Sequence, residues 1–189
     1  AVRKRLPALG MPVSGSAERI RATVIGASQY TVQVSSSTVY YSKVELLPQL
    51  DLQVVPAYLP ENPNDLTREA VAKAIAEGFE RLDIAPDEIG RQIAVALIGP
   101  VIPTYDSIKA ICDALAEALK PLSDWPWTII LSADVAGLVG SMLKRELKVE
   151  PEVIVVDGIN VGEFNFVDLG QPIESVEAIP VVVKSLVFE

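Results

Sequence analysis

The sequence predicts an α/β domain in which helices pack on a mixed β-sheet and a small β-rich tail follows. Three continuous apolar runs are typical of strands covered on both faces, and they occupy residues 92–98, 127–131 and 153–156. Around them, apolar residues recur at three- and four-residue steps, which indicates amphipathic helices. Strands separated by helices of this length are expected to be parallel neighbours joined by right-handed crossovers.

The N-terminal part of the chain is predicted to be an extended linker followed by three strands. Residues 1–20 have the composition of a basic connector, and the domain is expected to span residues 21–189. Residues 22–25 and 38–41 are rich in β-forming side chains. Apolar and polar residues alternate over residues 30–35, the period-two pattern of a half-buried strand.

A tight turn is predicted between the first two strands, at Gly26, Ala27, Ser28 and Gln29. Small side chains let backbone N–H groups approach an anion closely, so this turn could cradle a phosphate group. An ordinary hairpin turn is the alternative, and the residues alone favour it.

Prolines and capping residues set the limits of the other elements. Residues 52–58 lie among several prolines and are predicted to form a strand near a sheet edge. The remaining predicted elements are a helix over residues 66–82 capped by Asn64 or Asp65, a helix over 105–119 capped by Thr104 or Asp106, a helix beginning at 132–134, a hairpin of 164–167 with 173–176 around Asp168, and a last strand over 179–188.

Composition argues against several classes of function. The 25 acidic and 16 basic residues give a formal net charge of −9, which disfavours general binding to nucleic acids or anionic membranes. The chain has no histidine, which removes histidine-based nucleophilic catalysis and histidine-ligated metal sites. The single cysteine, Cys112, is expected to be a buried, unreactive thiol. No run approaches the length of a membrane helix and no signal peptide is apparent, so a cytosolic type of location is expected.

Two polar turns after the predicted buried strands are candidate ligand-binding positions. Ser132, Ala133 and Asp134 precede a helix, and the partial positive charge at its N-terminus would favour an anion. Capping of that helix by Ser132 or Asp134 is the simpler interpretation. Asp157 ends another strand, where acids commonly face ligands in open α/β sheets. It could hold a metal ion through water, although a turn residue is the more ordinary role.

The order of elements resembles the ribonuclease H-like half-domains of the actin and Hsp70 ATPase superfamily. Residues 24–34, VIGASQYTVQV, are similar to the second phosphate-binding loop of that superfamily. Residues 129–134, IILSAD, are similar to its adenosine-contacting turn. The resemblance implies that residues 26–29 and 132–134 contact a nucleotide, with ATP and Mg²⁺ as the cofactors.

Longer stretches resemble the C-terminal part of the reactivating factors of ethanolamine ammonia-lyase, from about Glu18 to Glu189. They are ERIRATVIGASQYTVQVSSSTVYYS, ILSADVAGLVGSMLKREL, VIVVDGINVGEFNFVDLGQPI and IPVVVKSLVF. This family implies a chaperone-like, ATP-dependent partner of the lyase that releases damaged cobalamin so that adenosylcobalamin can rebind. It also implies a location in the bacterial cytoplasm, in or near the ethanolamine-utilisation microcompartment. Because the chain begins at Ala1 and not at methionine, we expect an N-terminal half to precede it.

Two positions depart from the superfamily pattern and leave two roles open. Val24 stands where the superfamily has an acid, and Ser132 and Ala133 stand where it has two glycines. In one role, the domain contributes one wall of a nucleotide cleft and does not turn over ATP alone. In the other, it is a non-enzymatic interaction module that has lost nucleotide binding and docks onto the lyase or onto its own N-terminal half.

Overall fold

The computed structural model describes residues 28–35, 38–85, 92–173 and 178–186. Residues 30–185 form one compact unit, and nearly all of the other unit, residues 1–29 and 186–189, lies outside the described part. The predicted linker and first strand therefore lie outside the described residues, as do Gly26 and Ala27 of the predicted turn.

The described residues form one mixed sheet with helices on it, as predicted. The strands are β1 Ser28–Val34, β2 Tyr40–Tyr41, β3 Gln49–Tyr58, β4 Ile93–Ile98, β5 Trp127–Leu131, β6 Val153–Asp157, β7 Asn165–Leu169 and β8 Pro180–Leu186. Their order in the sheet is β1-β8-β7-β3-β4-β5-β6-β2. The α-helices are α1 Arg68–Arg81, α2 Tyr105–Ala118 and α3 Ala136–Ser141, and a π-helical turn, Met142–Glu146, continues α3. None of the helices described here is long and apolar enough to cross a membrane.

The helices cover one face of the four central strands. Strands β3, β4, β5 and β6 are parallel and lie side by side in chain order, so right-handed crossovers place α1, α2 and α3 on the same face. Their apolar stripes pack on Val55, Val95, Ile129 and Val155, which follow one another across the sheet. Burying a valine or isoleucine side chain contributes about 1.5–3 kcal/mol, so this layer is a major source of stability. The predictions of these buried strands and helices are confirmed.

The β-rich tail belongs to the main sheet. Strand β7 pairs antiparallel with β3, and β8 pairs antiparallel with β7. Val167, Val181 and Val183 from these strands join Ile130 and Ile154 in a second buried cluster, on the face opposite the helices. Among the described residues, the second face of the sheet is thus covered by strands of the same sheet.

Asp168 lies within β7, and the predicted turn at this position is wrong. Its Oδ1 accepts hydrogen bonds from the Asp51 backbone N–H, at 2.8 Å, and from Lys184 Nζ, at 2.7 Å. Burial alone would lower the pKa of Lys184, but the hydrogen bonds to Asp168 and Asp51 raise it. These long-range contacts hold the chain extended, and an isolated β-bridge joins Ile173 to Ala178 further along.

The first two described strands do not form the predicted meander. Strand β1 lies at one end of the sheet beside β8, whereas β2 pairs with β6 at the other end. The turn prediction is also wrong for Ser28 and Gln29, because they are the first two residues of β1. Local alternation predicts a strand, but it does not specify which distant strand will pair with it.

The apolar residues of β1 face solvent. Tyr30, Val32 and Val34 are 61%, 71% and 55% exposed. The side chain of Gln33 instead forms two hydrogen bonds with the backbone of Asn160, donating at 2.9 Å and accepting at 2.8 Å. The prediction of a half-buried strand is wrong: of the side chains described in β1 only Gln33 is partly buried, and the buried residue, Ser35, follows the strand.

Strand β3 is central, so the prediction of a strand near a sheet edge is wrong. It lies between β7 and β4 even though it contains Pro56. The Leu59 N–H donates to the Ile98 carbonyl, so the odd-numbered residues of β3 direct their backbone groups toward β4. Pro56 faces the other side, beyond the last residue of β3 that pairs with β7, Gln53. The N–H that proline lacks is therefore not required there.

The helix caps partly follow the predictions. α1 is capped by Thr67, whose Oγ1 accepts the Ala70 N–H at 3.2 Å. The prediction of Asn64 or Asp65 is wrong because both residues are engaged in a separate short 3₁₀ turn. α2 is capped by Thr104, one of the two predicted residues.

Candidate functional site

The predicted polar turns meet at the carboxyl ends of β5 and β6. These strands are parallel neighbours, and Leu131 pairs with Asp157 at their last residues. The Gly158 N–H donates to the Leu131 carbonyl at 3.0 Å, which keeps the two chain ends together. The turn Ser132–Asp134 and the acid Asp157 therefore belong to one edge of the sheet.

Asp157 is wholly buried and caps α3. Its Oδ2 accepts the backbone N–H of Ala136, the first residue of α3, at 2.8 Å. A carboxylate at a helix N-terminus satisfies a free N–H and interacts favourably with the helix dipole. Capping by Ser132 or Asp134 is therefore wrong, since Val135 occupies the cap position and the acceptor comes from the neighbouring strand.

Asp157 is also not a turn residue, because it is the last residue of β6. The turn is made by Gly158, whose φ of +70° falls in the left-handed region that glycine adopts without strain. The Asp157 side chain points into the protein, where 0% of the residue is exposed.

Thr38 links the two acids of the site. Its Oγ1 lies 2.8 Å from Asp157 Oδ2 and 2.5 Å from Asp134 Oδ1. A threonine hydroxyl has one proton, so it donates to one carboxylate at a time. Thr38 lies shortly before β2 in the chain. Its contacts therefore connect the segment that leads into β2 with the ends of β5 and β6. Sequence reasoning missed Thr38, and no local signal could have found it, because its partners are 96 and 119 residues away.

Ser132 is directed to β4 and away from the two acids. Its Oγ accepts the Gly99 N–H at 3.0 Å and donates to the Gly99 carbonyl at 3.1 Å. The backbone of Gly99 has a φ of +151°, so this pair of bonds holds a turn that a larger residue would strain. Ala133 is partly buried against the helix-side core. Of the predicted nucleotide-contacting residues, Asp134 shares the Thr38 hydroxyl with Asp157, whereas Ser132 bonds to Gly99.

Asp157, the candidate metal ligand, does not fit a magnesium ion held through water. Among the described residues, no group of three or more histidine, cysteine, aspartate or glutamate side chains could hold a metal ion. Asp157, the candidate ligand, has its Oδ2 within hydrogen-bond distance of two donors and has no exposed surface. A Mg²⁺ ion bound through water needs carboxylate oxygens that its hydration shell can reach.

Cys112 is a structural thiol, as predicted. It is fully buried under α3, and its Sγ lies 3.6 Å from the Val139 carbonyl oxygen. Burial raises the pKa of the Cys112 thiol to about 12, so the thiolate needed for nucleophilic chemistry does not form near neutral pH.

The fold and the site define a class of protein: an α/β domain whose buried acid holds a helix and an edge strand in place. The chain belongs to the family of ethanolamine utilisation protein EutA, whose family model matches residues 1–189. It is 29% identical over 179 residues to the ethanolamine ammonia-lyase reactivase EutA of Salmonella typhimurium, and 28% identical over 179 residues to that of Escherichia coli. Each match covers 94% of this chain but 36% of the relative, so the chain corresponds to little more than a third of their length. No solved structure matches it at a significant level.

Proposed function

We propose that this chain is the C-terminal domain of a reactivase and takes part in the reactivation of ethanolamine ammonia-lyase. The family match and the two curated reactivases support this assignment. In the proposed reaction the complete protein releases damaged cobalamin from the lyase, so that adenosylcobalamin can bind. Its place is the bacterial cytoplasm, in or near the ethanolamine-utilisation microcompartment.

Within that protein, the domain acts as a non-enzymatic interaction module. The observation that carries this choice is that the polar side chains at the candidate site bond to the domain itself. Ser132 bonds to Gly99, Asp134 to Thr38, and Asp157 to the start of α3. Side chains committed to these contacts hold the fold and do not need a ligand to satisfy them.

A second candidate is one wall of an ATP cleft in an actin-like protein. The location at the carboxyl ends of parallel strands supports it, since ligands in open α/β sheets bind there. Of the predicted phosphate turn, Gly26 and Ala27 lie outside the described residues, and Ser28 and Gln29 begin β1. ATP and Mg²⁺ would then be held mainly by the preceding half of the polypeptide.

Reactivation of the lyase tests the proposed function directly. A lyase inactivated with damaged cobalamin is mixed with adenosylcobalamin, Mg-ATP and the longer protein that carries this domain, and ethanolamine turnover is followed. We expect turnover to recover with the complete protein and not with a version that ends before Ala1. Equal recovery with the truncated protein would show that the domain has no part in reactivation.

A further inference from the structure

Strand β1 presents an apolar stripe to solvent. Its outward residues Tyr30, Val32 and Val34 are each more than half exposed and stand at every second position of the strand. Contiguous apolar surface of this kind is uncommon on soluble domains and marks interaction sites. On the opposite side of the strand Thr31 is exposed, Gln33 is bonded to Asn160, and Ser35, directly after the strand, is buried.

Nothing on β1 protects it as an exposed edge. Among the described strands, β1 pairs only with β8, so one side of its backbone has no strand partner. Its sequence, SQYTVQV, has no charged residue and no proline, the usual devices that keep an edge strand from pairing with other chains. The described helices pack over β3–β6 and not over β1. The stripe therefore has the properties of a surface that another element covers.

We propose that the remainder of the reactivase polypeptide covers this stripe. The chain spans 36% of the length of each curated relative, so well over half of such a protein lies outside this sequence. Strand β1 is the first described element of the domain, close in sequence to where a preceding part would join. A second copy is a poorer occupant, because the formal net charge of −9 makes two copies repel each other. The inference rests on the proposed function in one respect, that the domain is part of a longer reactivase.

Thiol labelling of the longer protein tests this interface. Val32→Cys places a thiol in the stripe, and Leu138→Cys places a matched thiol on α3, at a position 52% exposed in the domain. Cys112 does not interfere because it is buried and its pKa is raised to about 12. Maleimide modification at each position is timed by mass spectrometry of the digested protein, which separates these sites from any other cysteine.

The inference requires Val32→Cys to react at least tenfold more slowly than Leu138→Cys in the monomeric longer protein. Equal rates would overturn it. Protection that disappears on dilution would assign the stripe to a second copy, and protection that requires added lyase would assign it to the lyase; either result also overturns it. Hydrogen exchange of the backbone of residues 30–34 in the unmodified protein gives the same answer without a substitution. The reactivation assay is a separate readout, so failure of the proposed function and failure of this interface are distinguishable.

Discussion

Replacing Asp157 with alanine should be among the most damaging single changes at the carboxyl edge of the sheet. The carboxylate is fully buried, accepts a hydrogen bond from the Ala136 N–H at 2.8 Å, and lies 2.8 Å from the Thr38 hydroxyl, which it shares with Asp134. In Asp157→Ala the Ala136 N–H loses its acceptor inside the protein, and the Thr38 hydroxyl keeps Asp134 as its carboxylate partner. The start of α3 and the approach to β2 are thereby loosened together.

The expected loss in the free energy of unfolding follows from these two contacts. Leaving a buried donor such as the Ala136 N–H without a partner costs about 1–3 kcal/mol. The exposed Thr38 hydroxyl can donate to Asp134 instead, so the loss of its contact with Asp157 adds only about 1 kcal/mol. Together these give a loss of about 2–4 kcal/mol in the free energy of unfolding. For a domain of this size, that corresponds to a fall in Tm of roughly 4–16 °C.

Urea and thermal unfolding followed by circular dichroism measure this loss. Asp124→Ala is the matched control, because Asp124 is an exposed aspartate away from the site, and it should change stability by less than about 0.5 kcal/mol. Asp157→Asn keeps one carbonyl oxygen and should lie between wild type and Asp157→Ala. If Asp157→Ala unfolds within about 0.5 kcal/mol of wild type, the carboxylate is not the cap of α3 and the reasoning is refuted.

Three further predictions concern packing, ionisation and a backbone contact. Gly78→Ala should destabilise by about 1–2 kcal/mol, because its Cβ would lie 2.6 Å from the Pro56 carbonyl oxygen, whereas Gly162→Ala, with nothing within 4 Å, should be neutral in the same denaturant titration. Cys112 should resist a thiol reagent at pH 8 until the protein unfolds. The folded pKa of Cys112 is about 12 and the unfolded pKa about 8.5, so the stability gained by burying the neutral thiol is fully present below about pH 8.5 and is lost as the pH rises toward 12; a flat stability profile over this range would contradict the assignment. Lys144→Met should lower the unfolding free energy by about 1–2 kcal/mol, because the ammonium donates to three backbone carbonyls of the next turn; unchanged stability would show that these bonds contribute nothing.

Local sequence patterns were sufficient for the core of the fold. The continuous apolar run at Ile93–Ile98 gave a buried strand because a strand covered on both faces has no polar side. The three- and four-residue spacing of Ile108, Ile111, Cys112 and Leu115 gave α2, since these positions share one helix face. Both signals are contained within a dozen residues.

The candidate site depended on contacts that no local pattern contains. Asp157 caps a helix that begins 21 residues earlier in the chain, and Thr38 reaches it across 119 residues. The alternation in β1 was equally ambiguous. A period of two shows which residues share a face of the strand, but it does not show which face is buried. Gln33 turned out to have the inner partner, Asn160, and the apolar residues were left outside.

The central proposal is that the domain serves reactivation as an interaction module and does not line a nucleotide site. Calorimetric titration of the longer protein with Mg-ATP tests it most directly. Ser28→Trp and Ser132→Trp place an indole in each predicted nucleotide-contacting segment, and Ser123→Trp is the control at an exposed serine outside both segments. The module account predicts that all three bind Mg-ATP like wild type, within twofold. A loss of affinity of tenfold or more in Ser28→Trp or Ser132→Trp, with Ser123→Trp unchanged, would contradict it.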